Sequence, residues 1–271
     1  MSTETAQTKG TQLGSSIFGR VLVGIDGSPE SVEAGRQAAT LADGPVTLLA
    51  AYDLVRGLVG GVGPATPAMV DEAALRETAE HRLELARDAL GGAAELKVGE
   101  GRPWDLLLHE IDRAGVTLVA VGSHGHSRPV GIVIGSTATE LIHKAPCSVL
   151  VARTAVGAFP RRIVVGLDGS DESLAAYEVA QALARRFEAR LIPIVACLEA
   201  DIDPDDIEQR VGSRVRSVVN HPVEALVSAS AESDLVVVGS RGLRGLKALG
   251  SVSEQVAHQA ASSVLIVRAA S

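Results

Sequence analysis

The chain has 271 residues, 46% of them hydrophobic and 2% aromatic, with a formal net charge of −8 at pH 7. This length suits about two domains of ~100–200 residues, packed by aliphatic side chains. The acidic balance argues against nucleic acid or an anionic membrane surface as a partner, since both need a basic footprint, and no run approaches the ~20 apolar residues of a membrane span.

The N-terminal residues are small and polar. They contain no apolar run typical of a signal or transit peptide, so we expect a disordered tail over residues 1–18 and a cytoplasmic protein. Cys147 and Cys197 lie far apart without CxxC or metal-ligand spacing. We expect both to be buried small hydrophobes, and we expect no metal site made by protein residues alone.

Apolar runs and amphipathic segments alternate along the first half of the chain. Short all-apolar runs are typical of strands covered on both faces, and they predict strands at 21–25, 46–52, 95–98, 117–121 and 148–152. Helices are predicted between them, at about 29–42, 71–90, 104–114 and 136–144. A Gly/Pro-rich irregular segment at 56–67 precedes the second helix. The alternation predicts a doubly wound parallel sheet, whose ligands bind outside the carboxyl ends of the strands.

The second half repeats the first. RVLVGIDGS at 20–28 returns as RIVVGLDGS at 162–170, LVAVGSHG at 118–125 as LVVVGSRG at 235–242, and APCSVLVAR at 145–153 as AASSVLIVR at 260–268. Such repetition predicts two similar domains, domain 1 at 19–153 and domain 2 at 162–271. The linker between them, 154–161, contains Gly157 and Pro160, which break regular structure.

A glycine motif follows the fourth predicted strand. Residues 122–136 read GSHGHSRPVGIVIGS, in which Gly122, Gly125, Gly135 and Ser136 are spaced as Gly-x2-Gly-x9-Gly-Ser. Glycines allow a ligand to approach the backbone closely, and the helix that opens at Ser136 offers free N–H groups to an anion. A phosphate cradle is one interpretation, and a turn that is rich in glycine for packing alone is the other.

Two other residues have two interpretations each. Asp26, at the end of the first strand, could bind ribose hydroxyls or an adenine edge, or it could cap a helix. His124, between two glycines, could contact phosphate or ribose, or it could be an ordinary exposed histidine. Trp104, the only tryptophan, is expected to pack in the core or half-buried.

Together these motifs resemble the universal stress protein family in its tandem two-domain form, over nearly the whole chain after Phe18. The resemblance implies two flavodoxin-like (Rossmann-like) α/β domains, each a doubly wound, five-stranded parallel sheet of order 3-2-1-4-5. It also implies that the fifth strands pair within the chain, that a homodimer can form, and that the motif binds ATP or another adenine nucleotide, with Mg²⁺ or Mn²⁺ as an accompanying ion.

The resemblance also implies a role for each matching residue of domain 1. Asp26 and the backbone of Ala51 would contact adenosine, and Val121 and Gly122 would line the ribose. The complete predicted nucleotide site of domain 1 is Gly24, Ile25, Asp26, Ala51, Val121, Gly122, His124, Gly125, Gly135, Ser136 and Thr137. Ala138 stands where family members often have Ser or Thr.

Domain 2 departs from this pattern. Seven residues separate Gly242 from Gly250, against nine in domain 1, and the interval from the first-strand aspartate to the motif is about 25 residues shorter. Pro193 falls inside the expected second strand, where it would remove a ladder hydrogen bond. We therefore expect an abbreviated domain with a degenerate second site, at Asp168, Ala196, Gly239, Gly242, Gly250 and Ser251.

The sequence favours a nucleotide-binding stress or signalling protein whose bound state changes its assembly or partners. No P-loop and no Ser-His-Asp arrangement is evident, and Arg128 is the only fixed cation in the glycine motif. A slow ATPase or nucleotidyl-transfer enzyme and a scaffold that binds no nucleotide remain as alternatives.

Overall fold

A computed structural model describes residues 16–53, 71–123, 134–154, 157–198, 202–240 and 252–268. The described elements of domain 1 alternate between strand and helix, as predicted. They are β1 (Val21–Gly24), α1 (Pro29–Leu41), β2 (Val46–Tyr52), α2 (Glu72–Ala89), β3 (Ala94–Glu100), α3 (Pro103–Ala114), β4 (Leu118–Gly122), α4 (Ser136–Lys144) and β5 (Ser148–Ala152). The predicted irregular segment at 56–67 lies outside the described residues.

The described elements of domain 2 follow the same order with shorter members after the second strand. They are β6 (Arg162–Leu167), α5 (Asp171–Phe187), β7 (Arg190–Ala196), α6 (Pro204–Val211), β8 (Arg216–Val218), α7 (Pro222–Ser230), β9 (Leu235–Gly239), α8 (Val252–Gln259) and β10 (Ser263–Val267). The helix α6 has 8 residues where α2 has 18, which confirms that domain 2 is abbreviated.

All ten described strands form one sheet of order β3-β2-β1-β4-β5-β10-β9-β6-β7-β8. Pairing within each domain is parallel. Each half therefore has the predicted order 3-2-1-4-5, and the two halves meet through their fifth strands, which pair antiparallel with Leu150 opposite Leu265. The predicted intrachain pairing of the fifth strands is thus present in the sheet.

Helices cover both faces of this sheet, which is why its central strands, such as β4 (LVAVG) and β9 (LVVVG), are apolar. One face packs against α1, α2, α5 and α6, and its buried residues include Leu41, Leu83 and Leu183. The opposite face packs against α3, α4, α7 and α8, with Leu107 and Leu141 among its buried residues. Since each core cluster contains residues of both domains, the domains share two continuous cores.

Polar contacts across the domain junction repeat about a pseudo-two-fold axis. The Arg153 backbone N–H donates to Ser263 Oγ at 2.9 Å, and the Arg268 backbone N–H donates to Ser148 Oγ at 3.2 Å. The Arg153 guanidinium donates to the carbonyls of Ala257 (2.6 Å) and Ser262 (3.2 Å). The Arg268 guanidinium donates to the Ile142 carbonyl. Each arginine thus binds the carboxyl end of the other domain's last helix.

The expected N-terminal tail differs from the structure at its last residues. Phe18 is 2% exposed and belongs to the core. The backbone N–H groups of Ile17 and Phe18 donate to Asp43 Oδ2 at 2.7 and 3.0 Å. Because a buried aromatic ring and two hydrogen bonds hold this segment, the ordered domain begins before residue 19.

Pro193 does not interrupt its strand, contrary to the expectation from sequence. β7 pairs with β6 continuously, Pro193 opposite Val165. The Cys197 N–H donates to the Val218 carbonyl of β8 at 2.9 Å. Backbone N–H groups alternate in direction along a strand, so the backbone nitrogen of Pro193, four residues earlier, also faces the β8 side. The β7–β8 ladder starts only at Ile194. The backbone nitrogen of Pro193 therefore faces a position where β8 has not yet begun, so no ladder hydrogen bond is lost.

No helix in the described part of the chain is long and apolar enough to cross a membrane.

Candidate functional site

The same local turn shapes the end of the first strand in each domain. Asp26 Oδ1 accepts hydrogen bonds from the backbone N–H (2.9 Å) and Oγ (2.6 Å) of Ser28, and Gly27 has a φ of 84°. Ser28 Oγ in turn accepts from the Ser31 N–H and caps α1. Asp26 therefore braces a helix-capping turn, while a carboxylate has further acceptor capacity for a ligand. Both interpretations of this residue remain compatible with its geometry.

The domain 2 turn is built in the same way. Asp168 Oδ1 accepts from the N–H (3.0 Å) and Oγ (2.5 Å) of Ser170, and Gly169 has a φ of 79°. The Asp-Gly-Ser repeat in the sequence is thus explained by one turn, because only glycine adopts a positive φ without strain.

Two glycines of the predicted site are closely packed against other parts of domain 1. A Cβ on Gly122 would lie 2.9 Å from Glu30 backbone and side-chain atoms in the first turn of α1. A Cβ on Gly24 would lie 3.1 Å from side-chain atoms of Leu107 and Val121. A Cβ at Gly24 would require Leu107 and Val121 to move by a few tenths of an ångström. At Gly122 the backbone of α1 blocks it, so the packing interpretation holds for the start of the motif.

Gly135 differs from them. Its backbone has φ −65°, open to any residue, and among the described residues an added Cβ would meet only the Ser123 carbonyl oxygen, at 3.8 Å. No described side chain caps α4, and the first-turn N–H groups of a helix have no partner within the helix itself. Ser136 is exposed and Thr137 half-buried at this turn. Packing against the described residues therefore does not explain this glycine.

The remaining predicted residues of domain 1 lie at the same carboxyl edge of the sheet. Ala51 is half-buried near the end of β2, opposite Gly99. Ile25 and Val121 have core side chains, 4% and 5% exposed, so a ligand could meet only their backbone. Ala138 is 1% exposed and packs into the core. His124 and Gly125 lie outside the described residues.

Domain 2 contains a cleft at the corresponding strand ends, with a volume of about 110 Å³. Three residues of the predicted second site line it: Asp168, Ala196 and Gly239. Its walls are mostly apolar, and they include Ile194 and Leu226. Gly242, Gly250 and Ser251 lie outside the described residues.

Other residues considered from sequence have structural surroundings. Cys147 is 8% exposed, and burial raises the pKa of its thiol to about 12, so the thiol is unreactive. Cys197 is half-buried. Trp104 is half-buried under Lys144, whose Nζ lies 4.2 Å from the ring centroid. Among the described residues no group of His, Cys, Asp and Glu could hold a metal ion.

Sequence reasoning missed the residues that join the domains. The matched ends of the repeats, SVLVAR and SVLIVR, were evident as repetition, but the partners of Ser148, Arg153, Ser263 and Arg268 were not. Each of these segments begins with Ser, ends with Arg and is otherwise apolar. Buried polar groups need hydrogen-bond partners, so this pattern was the signal that could have indicated contacts across the junction.

Comparisons with known proteins agree with this architecture. The family model described as the universal stress protein family matches residues 18–153, 160–214 and 203–268. A universal stress protein from Mycolicibacterium smegmatis is 30% identical over 287 residues, covering 92% of this chain and 96% of that protein. One from Mycobacterium tuberculosis is 29% identical over 287 residues, with the same coverage.

A solved structure has the same fold over most of its length. The crystal structure of a universal stress protein from Archaeoglobus fulgidus matches with a TM-score of 0.72 at 19% identity, covering 92% of this chain and 98% of that one. The family model spans well over half of the chain, and the chain therefore belongs to the universal stress protein family.

Proposed function

We propose that domain 1 binds an adenine nucleotide such as ATP, and that the bound state changes the assembly or partners of the protein in a stress response. The site would lie at the carboxyl edge of β1, β2 and β4, where ligands bind in sheets of this kind. Adenosine would contact Asp26 and the backbone at Ala51, and the phosphates would meet the start of α4.

The observation that carries the proposal is the surroundings of Gly135. The first-turn N–H groups of a helix favour a phosphate; no described side chain caps α4, and none lies close enough to occupy the place of a Cβ at Gly135. The hydroxyls of Ser136 and Thr137 belong to the same turn and can add hydrogen bonds. The Gly-x2-Gly-x9-Gly-Ser motif and the family membership of the chain support the same ligand.

Gly135→Val tests the site directly. A branched side chain would occupy the space in front of the N–H groups, so we expect the nucleotide retained by purified protein to fall at least tenfold. The measurement is release of bound ligand followed by chromatography. We expect about one nucleotide per wild-type chain if domain 1 alone binds phosphorylated ligand.

Gly250→Val, the corresponding change in the shorter motif of domain 2, is the matched control and should leave retention intact. Retention by Gly135→Val at the wild-type level would contradict the site assignment. Wild-type protein that binds no nucleotide would favour the scaffold, and turnover of ATP with added Mg²⁺ or Mn²⁺ above that of Gly135→Val would favour the enzyme.

A further inference from the structure

Gln37 is a buried polar residue in the second half of α1, and it has no part in the candidate site. Its side chain is 0% exposed. Nε2 donates to the Arg153 carbonyl at 2.8 Å and to Glu33 Oε1 at 2.7 Å. Because two acceptors face this end of the amide, the atom there must be the nitrogen. The other end, Oε1, is buried and has no hydrogen-bond partner among the described residues.

Domain 2 has an aliphatic residue at the matching place. Ser28 and Ser170 each cap the first helix of their domain, and the residue nine positions later is Gln37 in domain 1 but Val179 in domain 2. Val179 packs against the core, so an aliphatic side chain suits this place in the fold. A buried acceptor without a partner lowers stability, and packing alone therefore does not account for Gln37. What the amide adds is the pair of hydrogen bonds from Nε2.

The carbonyl that Gln37 binds belongs to a residue that also binds domain 2. The same carbonyl accepts from Ser263 Oγ at 3.2 Å. The Arg153 guanidinium donates to the Ala257 carbonyl of α8 at 2.6 Å and to the Ser262 carbonyl after it at 3.2 Å. Gln37, Arg153 and α8 therefore form one continuous hydrogen-bonded connection from domain 1 to domain 2.

The first turn of α1 lies at the candidate nucleotide site. Ser28 Oγ caps the helix and donates to Asp26 Oδ1, which belongs to the residue proposed to contact adenosine. The same turn packs against Gly122, where an added Cβ would lie 2.9 Å from its atoms. An α-helix moves as a stiff unit, and Gln37 lies about 14 Å along it from Ser28. A ligand that fixes the turn at Asp26 therefore also restrains Gln37.

The helix at the far end of this connection lines the cleft of domain 2. Val252 and Ser253, the first residues of α8, belong to the lining, together with Asp168 and Gly239 at the strand ends. α8 has only 8 residues, and a helix this short depends on tertiary contacts for its stability. Since Arg153 binds its carboxyl end, the strength of that contact influences how often α8 opens locally.

We infer that nucleotide binding in domain 1 is coupled to the order of α8 in domain 2 through Gln37 and Arg153. The inference rests on the proposed function and adds a regulatory role to the same site. Gln37 is a positioning residue, because it is buried away from the ligand and acts through α1 and Arg153. Bound nucleotide restrains α1, the Gln37 amide transfers this restraint to Arg153, and α8 opens less often. Since such coupling is reciprocal, a ligand that orders α8 from the domain 2 cleft strengthens nucleotide binding in domain 1.

Hydrogen exchange of the full chain, measured by mass spectrometry with and without ATP, tests this coupling. In wild-type protein we expect ATP to slow the exchange of peptides from 252–268 by about fivefold. Gln37→Met keeps a similar side-chain volume but removes both donors. We expect this variant to bind ATP within about threefold of wild type in calorimetric titrations, and the effect of ATP on 252–268 to fall below about twofold.

Gln37→Val gives domain 1 the residue of domain 2 and serves as a second variant, and thermal unfolding checks that both variants fold. Gln181→Met is the matched control. Gln181 Nε2 donates to Tyr177 Oη within α5, at 3.3 Å, so this change should leave the effect of ATP on α8 at the wild-type level.

Two results overturn the inference while the proposed function stands. One is wild-type protection of α8 by ATP in both Gln37 variants, since the coupling would then take another route, such as the bond from the Arg268 guanidinium to the Ile142 carbonyl of α4. The other is wild-type protein that binds ATP without any protection of α8. Wild-type protein that binds no ATP overturns the proposed function and this inference together.

Discussion

Gly122 and Gly135 belong to one sequence motif, but different surroundings explain them. Gly122→Ala would force a Cβ against the first turn of α1, 2.9 Å from backbone and side-chain atoms of Glu30. We expect it to lower the free energy of unfolding by about 1–3 kcal/mol, measured by urea denaturation. Gly135→Ala meets no such contact and should cost less than about 1 kcal/mol, the loss expected at a helix N-cap. Equal losses in the two variants would contradict this distinction.

Glu110 is the buried charge whose effect on stability depends most clearly on pH. Arg113 donates to both of its oxygens, at 2.9 and 2.7 Å, and Lys97 Nζ lies 2.5 Å from Oε1. The hydrogen bonds from Arg113 and then Lys97 lower the pKa of Glu110 to about 2, against the opposing effect of burial. The unfolded chain therefore binds this proton first as pH falls, and the stabilisation is complete above about pH 4.5 and lost toward pH 2.

Glu110→Gln tests this linkage. At pH 7 we expect the free energy of unfolding to fall by roughly 2 kcal/mol, after allowing for solvent screening at the half-exposed Arg113. The difference from wild type should shrink as pH is lowered from 4.5 toward 2 in parallel denaturation series. Glu95→Gln, at an exposed partner of Lys97, is the control and should change stability by less than about 0.5 kcal/mol. A constant difference across pH would contradict the argument.

Among the described helices, three end with a residue in the left-handed region, and only one of these residues is not glycine. α3 and α6 end at Gly115 and Gly212, both with φ 64°. α5 ends instead at Glu188, whose φ of 51° lies in the left-handed region that disfavours side chains. Glu188→Gly should raise the free energy of unfolding by about 0.5–1 kcal/mol.

Gly115→Ala is the reciprocal change. Among the described residues no atom lies within 4 Å of a Cβ there, so only backbone strain applies, and we expect the free energy of unfolding to fall by about 1 kcal/mol. Thermal and urea unfolding of the two variants should shift in opposite directions. Destabilisation by Glu188→Gly would show that the side chain matters more than the backbone strain.

The elements themselves were largely predictable. β2, α4 and β5 have the predicted bounds, and most other elements differ by one or two residues, because apolar runs and helix caps are local signals. Pro193 is the informative exception. The stability that a proline removes from a strand depends on which neighbouring strand its backbone nitrogen faces. That direction is set by the register with β6 and β8, and the local sequence does not specify it.

At the scale of the whole molecule, arginines hold the two domains together. Arg153 is largely buried, and burial lowers its pKa to about 10, while its guanidinium binds carbonyls at the end of α8 and after it. Arg153→Met would leave these carbonyls without their charged donor, and we expect a loss of about 2 kcal/mol in unfolding free energy. Arg153→Lys keeps the charge but not the planar fork, so its loss should be intermediate.

The single tryptophan makes the effect on domain coupling measurable. Trp104 lies in domain 1, so its fluorescence follows that domain, whereas circular dichroism follows both. In wild type the two unfolding transitions should coincide, and in Arg153→Met they should separate as the domains uncouple. Arg76→Met, at an exposed residue paired with Glu80, should change neither. Coincident transitions in Arg153→Met would mean that the shared cores alone couple the domains.

Local periodicity and matching short segments carry the alternation of strands and helices, the internal repeat and the family, so these are predictable from the sequence. The reason why an individual residue is present depends on its neighbours in the folded chain. Gly122 faces the start of α1, and Arg153 bonds to a serine 110 residues away. Contacts of this kind join segments that are remote in the chain, so no local pattern specifies them. They distinguish Gly122, which is required by packing, from Gly135, where a Cβ would meet no close described neighbour.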